Sequence, residues 1–168
     1  MKAKRLTLCA LFAALTAVCA QVVLPLGPVP VNLALLPVMV CAALLPVRYA
    51  VTSAVVYLLM GLIGLPVFSR MTGGPGVLFG ITGGYLLGYV LCAWVVAALC
   101  QSRVKPWLAM GAGVLACYAA GAAWQVLMGH VSFEHALGYG VLPFIPGDVL
   151  KIAAANGLAK RLYLVVRA

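Results

Sequence analysis

The chain has 168 residues, of which 66% are hydrophobic and only 8% charged, with a formal net charge of +9. Soluble domains carry about 25% charged residues, so an ordinary water-soluble fold is excluded. Asp, Glu, Lys and Arg are absent from 6–47, 49–69, 71–102 and 106–133, and a spanning helix needs about 20 mostly apolar residues. The chain therefore reads as an all-α integral membrane protein with a single domain, 1–168. Its basic residues cluster at segment ends, which is the positive-inside pattern rather than a nucleic-acid surface.

The first predicted span covers 6–24. Met1-Lys-Ala-Lys-Arg, the Ala-rich run after it and Ala17-Val-Cys-Ala20 resemble a signal peptide. The apolar run continues to Leu24 and further spans follow, so an uncleaved first helix is expected. Ala10, Ala13, Ala14 and Ala17 put small residues at i and i+4, which suits close helix approach either within the bundle or with a partner. Pro25, Gly27, Pro28 and Pro30 then demand a non-helical loop. The second span, 33–45, is short and holds Pro37, so it is expected to be tilted, kinked or sheltered by neighbours. The third is 49–65, followed by a glycine-rich loop over 66–80. The fourth and fifth are 81–101 and 107–128. A polar loop with His130, Glu134 and His135 leads to the sixth, 147–166.

Six spans return the C-terminus to the side of the N-terminus. With that side inside, Lys2, Lys4, Arg5, Arg48, Arg103, Lys105, Lys160, Arg161 and Arg167 all lie inside, and Arg70 alone falls in an outer loop. Nine basic residues against one place both termini in the cytoplasm, in a multi-pass cell-membrane topology.

The chain has two acidic residues, Glu134 and Asp148. Asp148 and Lys151 stand about one turn apart at the head of the sixth span. As a structural pair, Asp148 caps the helix and Lys151 neutralises it. As a binding pair, a carboxylate that only accepts and an ammonium that only donates suit a ligand with N–H groups at one end and an acid at the other. Both readings stand on the residues alone. Glycines in Met71-Thr-Gly-Gly-Pro-Gly76, including Gly73 and Gly74, and in Gly80-Ile-Thr-Gly-Gly-Tyr85, let backbone approach a ligand. The repeat of Gly80, Gly84 and Gly88 also forms a packing stripe. No Lys-Ser or Lys-Thr follows as a phosphate loop requires, so the chain has no visible means of using ATP. The cysteines lie scattered in apolar stretches with no CxxC. His130, Glu134 and His135 lack the i, i+4 histidine pair of a helical zinc site. No catalytic set is evident. Trp124 reads as an interfacial anchor or a pocket floor.

The motifs resemble BioY, the family of biotin-binding S-components of energy-coupling factor transporters. The likeness runs through Ala10-Leu-Phe-Ala-Ala-Leu15, Gly27-Pro-Val-Pro-Val-Asn32, Leu58-Leu-Met-Gly-Leu-Ile-Gly-Leu-Pro-Val-Phe-Ser69 and Thr82-Gly-Gly-Tyr85. It continues with the Tyr118/Gly121/Trp124 spacing and closes on Pro143-Phe-Ile-Pro-Gly-Asp-Val-Leu-Lys151. The resemblance implies a six-transmembrane-helix bundle that binds biotin near its outer face, embedded in membrane lipid and without a cofactor. It implies that Asp148 contacts the ring system and that Lys151 belongs to the same polar site. The loops carrying Asn32, Gly73 and Gly74 close over the ligand, beside Thr82, Gly83, Tyr85 and Trp124. The face with Ala10, Ala13, Ala14 and Ala17 docks on a transmembrane coupling subunit that works with two ATPase subunits. The chain departs from the family pattern at Ala34, at Ile81 and at Arg70, whose guanidinium is itself suited to a ligand carboxylate. The alternatives are an S-component for another small vitamin or a biotin analogue, and a self-sufficient secondary transporter. The last wants an ionisable group reachable from both sides, which spans one to five lack.

Overall fold

The computed structural model describes residues 2–24 and 31–167. The chain runs α1 (Lys2–Ala20), β1 (Val23–Leu24), β2 (Val31–Asn32), α2 (Leu35–Leu44), α3 (Val47–Leu62), α4 (Pro75–Leu78), α5 (Gly83–Gln101), α6 (Pro106–Gly129), α7 (Phe133–Gly140) and α8 (Ile145–Arg167). Short 3₁₀ turns cover Ser69–Met71 and Leu142–Phe144.

Six helices, α1, α2, α3, α5, α6 and α8, overlap the six segments predicted from apolar length and the proline and glycine breakers. Four stretches, Ala3–Ala20, Gly83–Gln101, Pro106–Gly129 and Phe133–Leu164, are long and apolar enough to cross a membrane by length and composition. The helices α2 and α3 are shorter. Large apolar side chains such as Leu91, Leu115, Leu127 and Leu150 face outward, as a lipid-solvated bundle requires.

The shortness of α2 is explained by where it sits. Ten residues span only about 15 Å, yet seven are buried, Leu35 and Pro37 through Ala42, and none is fully exposed. It touches α1, α3, α5, α6 and α8 and forms the centre of the bundle. Pro37 lies in its first turn, where the missing N–H has no intrahelical acceptor in any case. Of tilt, kink and shelter, the structure displays shelter.

The most extensive packing joins α5 to α6, and the glycine stripe makes it possible. A Cβ on Gly84 would lie 2.1 Å from Cβ of Trp124, and one on Gly121 would lie 2.2 Å from the Tyr85 ring. On the other side α1 packs on α2 and α3, and the Ser53 hydroxyl of α3 donates to the Cys9 carbonyl at 2.9 Å.

Four boundaries depart from the sequence expectation. The first helix stops at Ala20, and residues 23–24 instead pair antiparallel with 31–32, Val23 opposite Asn32. The β-branched Val22, Val23 and Val31 favour extended backbone once the helix has ended. Pro25, Gly27, Pro28 and Pro30 lie outside the described residues. The third helix ends at Leu62, before Gly64 at φ 98°. The glycine-rich loop contains a 3₁₀ turn and the one-turn α4, which Pro75 starts at N1. The polar loop after the fifth span is largely helical. Ser132 caps α7 by accepting from the His135 amide, and Glu134 sits in the first turn, where the helix dipole favours an acid.

Candidate ligand-binding site

The head of α8, the facing parts of α5 and α6, the start of α2 and the segment after α3 line a cavity of about 110 Å³. One water needs only about 10–15 Å³, so the space is suited to a small organic molecule. Its walls are mainly apolar and aromatic. Leu35, Phe68, Val77, Leu86 and Phe144 contribute, with the tyrosines 85, 89 and 118.

Asp148 and Lys151 line this cavity at 3% and 6% exposure. The Lys151 ammonium donates to Asp148 Oδ1 at 2.6 Å, and the Tyr118 hydroxyl donates to Oδ2. Asp148 is the fourth residue of α8. Its oxygens are engaged by these two side chains, not by the backbone N–H groups that a cap would take. Two ions in an apolar interior are tolerable only when paired and hydrogen-bonded, and here they are. A carboxylate has about four acceptor positions and an ammonium three donors. The pair therefore keeps unused acceptors and donors beside the cavity. It can take N–H groups and negatively polarised oxygens from one ligand at the same time.

Asn32, at the end of β2, also lines the cavity. Its Oδ1 accepts from the Ala34 amide at 3.0 Å and from the Tyr89 hydroxyl at 3.2 Å, and its Nδ2 donates to Ser69 Oγ at 2.5 Å. One amide thus connects the strand before α2, the wall of α5 and the 3₁₀ turn. Ser69 and Thr72 also line the cavity. Gln21, just past α1, ties the same turn from outside. Its Nε2 donates to the Phe68 carbonyl at 3.1 Å and its Oε1 accepts from the Met71 amide at 2.9 Å. Arg70 and Met71 within that turn have φ of 61° and 56°, a left-handed conformation uncommon outside glycine.

The residues singled out from the sequence separate into two groups. Asp148, Lys151, Asn32, Thr82 and Tyr85 line the cavity. Arg70, Gly73, Gly74, Gly83 and Trp124 do not. Arg70 is exposed on the outer side of its turn, since the left-handed backbone there turns the chain away. Gly73 is pressed against the Leu65 carbonyl, and Gly83 against that of Leu78; their lack of a side chain serves backbone packing. Gly74 precedes α4 at φ 95°. Trp124 donates from Nε1 to the Gly80 carbonyl at 2.9 Å, so it anchors the segment before α5 from behind instead of flooring the pocket. The alanine face also divides. Ala10 and Ala14 are exposed, Ala17 is half-buried, and Ala13 is in the core at 1% exposure, because it lies on the side of α1 that meets the bundle.

Tyr89, Cys117 and Ser69 also line the cavity and were not singled out. A tyrosine in an apolar span was the available signal, since a buried phenol needs a partner for its hydroxyl. Tyr85 follows the same rule, donating to the Gly140 carbonyl at 2.8 Å and stacking on Phe144. Among the described residues no three of His, Cys, Asp or Glu gather as metal ligands. His135 instead packs against the ring of Tyr139.

Known proteins share this architecture and sequence. The model of the BioY family matches residues 1–168. A probable biotin transporter BioY of Pyrococcus horikoshii is 38% identical over 162 residues, covering 96% of this chain and 98% of its own. The biotin transporter BioY of Thermotoga maritima is 37% identical over 155 residues, covering 90% and 91%. Among solved structures, the S-component for biotin from an ECF-type ABC transporter superposes with a TM-score of 0.84 at 26% identity, covering 96% of this chain and 91% of that one. This chain belongs to the BioY family.

Proposed function

We propose that this chain is the biotin-binding S-component of an energy-coupling factor transporter in the cell membrane. It captures the vitamin and delivers it to a module of one transmembrane coupling subunit and two ATPase subunits. The observation that carries the reading is the buried Asp148–Lys151–Tyr118 set at the polar end of an otherwise apolar cavity. Biotin has a ureido group with two N–H donors and a carbonyl, an apolar thioether ring and chain, and a carboxylate. Asp148 accepts from the ureido N–H groups. Lys151 donates to an oxygen of the ligand, and Tyr118 holds the carboxylate of Asp148 in place. The aromatic wall takes the ring. Support also comes from the relatives, whose names give biotin as their substrate.

The topology proposed with this role has six spans and both termini in the cytoplasm, following the distribution of basic residues. The cavity then opens toward the outside. The role is binding and delivery, not catalysis. The exposed side of α1 with Ala10 and Ala14 is the docking face offered to the coupling subunit.

Titration calorimetry on the purified chain tests the reading. Biotin should bind without ATP, and Asp148→Asn should weaken it by about 1.5–3 kcal/mol, the worth of a hydrogen bond to a charged group. No heat with biotin, and no competition against labelled biotin, would overturn it.

A further inference from the structure

The second large concavity lies at the opposite end of the bundle. Along α8, Asp148 lines the cavity described above and Tyr163 lines this one, about 22 Å further at 1.5 Å per residue. It is a cleft of about 1020 Å³ where the start of α1, the α2–α3 corner and the ends of α5 and α8 meet. Lys4, Arg5 and Arg103 line it. Beneath them the wall is aliphatic, with Leu8, Leu44 and Ala97.

Among the described residues no carboxylate reaches these cations, and the one ion pair, Asp148–Lys151, belongs to the other cavity. Glu134 is the only other acidic side chain in the sequence, and it sits on α7 beyond the far end of α6. Arg5 lies over the Tyr49 ring at 5.8 Å, which orients it without neutralising it. Arg103 closes α5 at φ 62°, with its amide on the Cys100 carbonyl and that of Val104 on the Leu99 carbonyl. That is the left-handed position after a helix where glycine is ordinarily favoured. A long cationic side chain occupies it here, at the rim of the cleft.

We infer that this cleft binds an anionic phospholipid, with the lipid phosphate held by Arg5, Arg103 and Lys4 and the start of an acyl chain lying on the aliphatic wall. Charge complementarity and the two-layered lining select this occupant. Cations at the ends of spanning helices stand at headgroup depth, and guanidinium matches phosphate oxygens bidentately. A purely aqueous anion would leave the aliphatic wall uncovered. An acidic protein segment would not need that wall to continue toward the membrane interior.

The test is lipid retention. The purified full-length chain is exchanged into micelles containing equal phosphatidylglycerol and phosphatidylcholine, and the lipid it keeps is measured by mass spectrometry. Wild type should retain phosphatidylglycerol preferentially. Arg5→Gln combined with Arg103→Gln should reduce that preference about tenfold or more, given the worth of each basic residue near anionic lipid. Lys160→Gln combined with Arg161→Gln removes the same charge from outside the cleft and should leave it unchanged. Equal loss in both double variants, or none in the first, overturns the assignment. So does displacement by inorganic phosphate at the concentration at which the lipid itself competes, because that identifies a free-anion site. Should the cleft variant fail to fold, the wild type still decides: no preference for phosphatidylglycerol over phosphatidylcholine overturns the proposal alone.

Discussion

The two sides of the ligand cavity are constructed differently. On one side α5, α6 and α8 present Tyr85, Tyr118, Asp148 and Lys151 from long helices, of which α5 and α6 are locked together by glycine contacts. On the other side Phe68, Ser69 and Thr72 come from a turn held by a few side-chain hydrogen bonds from Gln21 and from Asn32 of β2. Opening the first side means separating close-packed helices. Opening the second means breaking individual hydrogen bonds, each worth about 0.5–1.5 kcal/mol net. Affinity and stability should therefore reside in the wall, and rates of ligand exchange in the turn.

The comparison is tested most severely at Lys151. Lys151→Met leaves the Asp148 carboxylate buried with only Tyr118, and removing one member of a buried pair costs about 3–5 kcal/mol. Thermal unfolding should show a large loss, partly recovered when Asp148→Asn is added. No recovery in the double variant would show that the two groups do not act as a pair. Gly84→Leu comes next. It forces side-chain atoms into Trp124, and overpacking of this kind costs about 1–3 kcal/mol. Unfolding measurements beside Gly138→Ala, where an added Cβ meets nothing within 4 Å, should separate the close approach from the mere loss of glycine. A wild-type midpoint in Gly84→Leu would mean that the wall is not rigid.

Gln21→Ala probes the turn. It removes two bonds to the turn, about 1–3 kcal/mol together. Stopped-flow binding should show faster biotin release with little change in association. If release is unaltered, Gln21 does not hold the cavity closed. The smallest effect is expected from Ala14→Leu, on an exposed face, where stability should stay within about 0.5 kcal/mol of wild type. Biotin binding should persist while co-purification with the coupling subunit is lost. Ala13→Leu, in the core, should instead destabilise the chain.

Much of this arrangement was legible before any coordinates. Charge-free runs marked the first five long segments because lipid excludes ionic side chains, and the same rule made Asp148 and Lys151 conspicuous in the sixth. Position within the site was legible only where chemistry forced it. Arg70 has the right charge for a ligand carboxylate, but backbone conformation directs it outward, and no composition rule encodes that. Trp124 follows the spacing of the site yet serves it from behind, through the Gly80 carbonyl. The burial of Ala13 beside the exposure of Ala14 depends on which neighbours α1 meets, and an alanine pattern is silent on that. The helix α7 was obscured by its glycines and the histidines in and before it, although Ser132 with Phe133, Ala136 and Leu137 at helical spacing was a usable signal.

Gln21 connects features that are far apart in the sequence. Just past α1, it bonds back to the Ala17 carbonyl at 3.1 Å while holding Phe68 and Met71. The helix that exposes Ala10 and Ala14 is thereby a lever whose far end grips the turn over the cavity. Any tilt of α1 relative to α3 strains those bonds. A partner that tilts α1 would change the ligand's dissociation constant by the same factor by which the ligand changes the partner's. Loaded and empty forms of the protein would then be distinguishable to a partner that never touches the ligand.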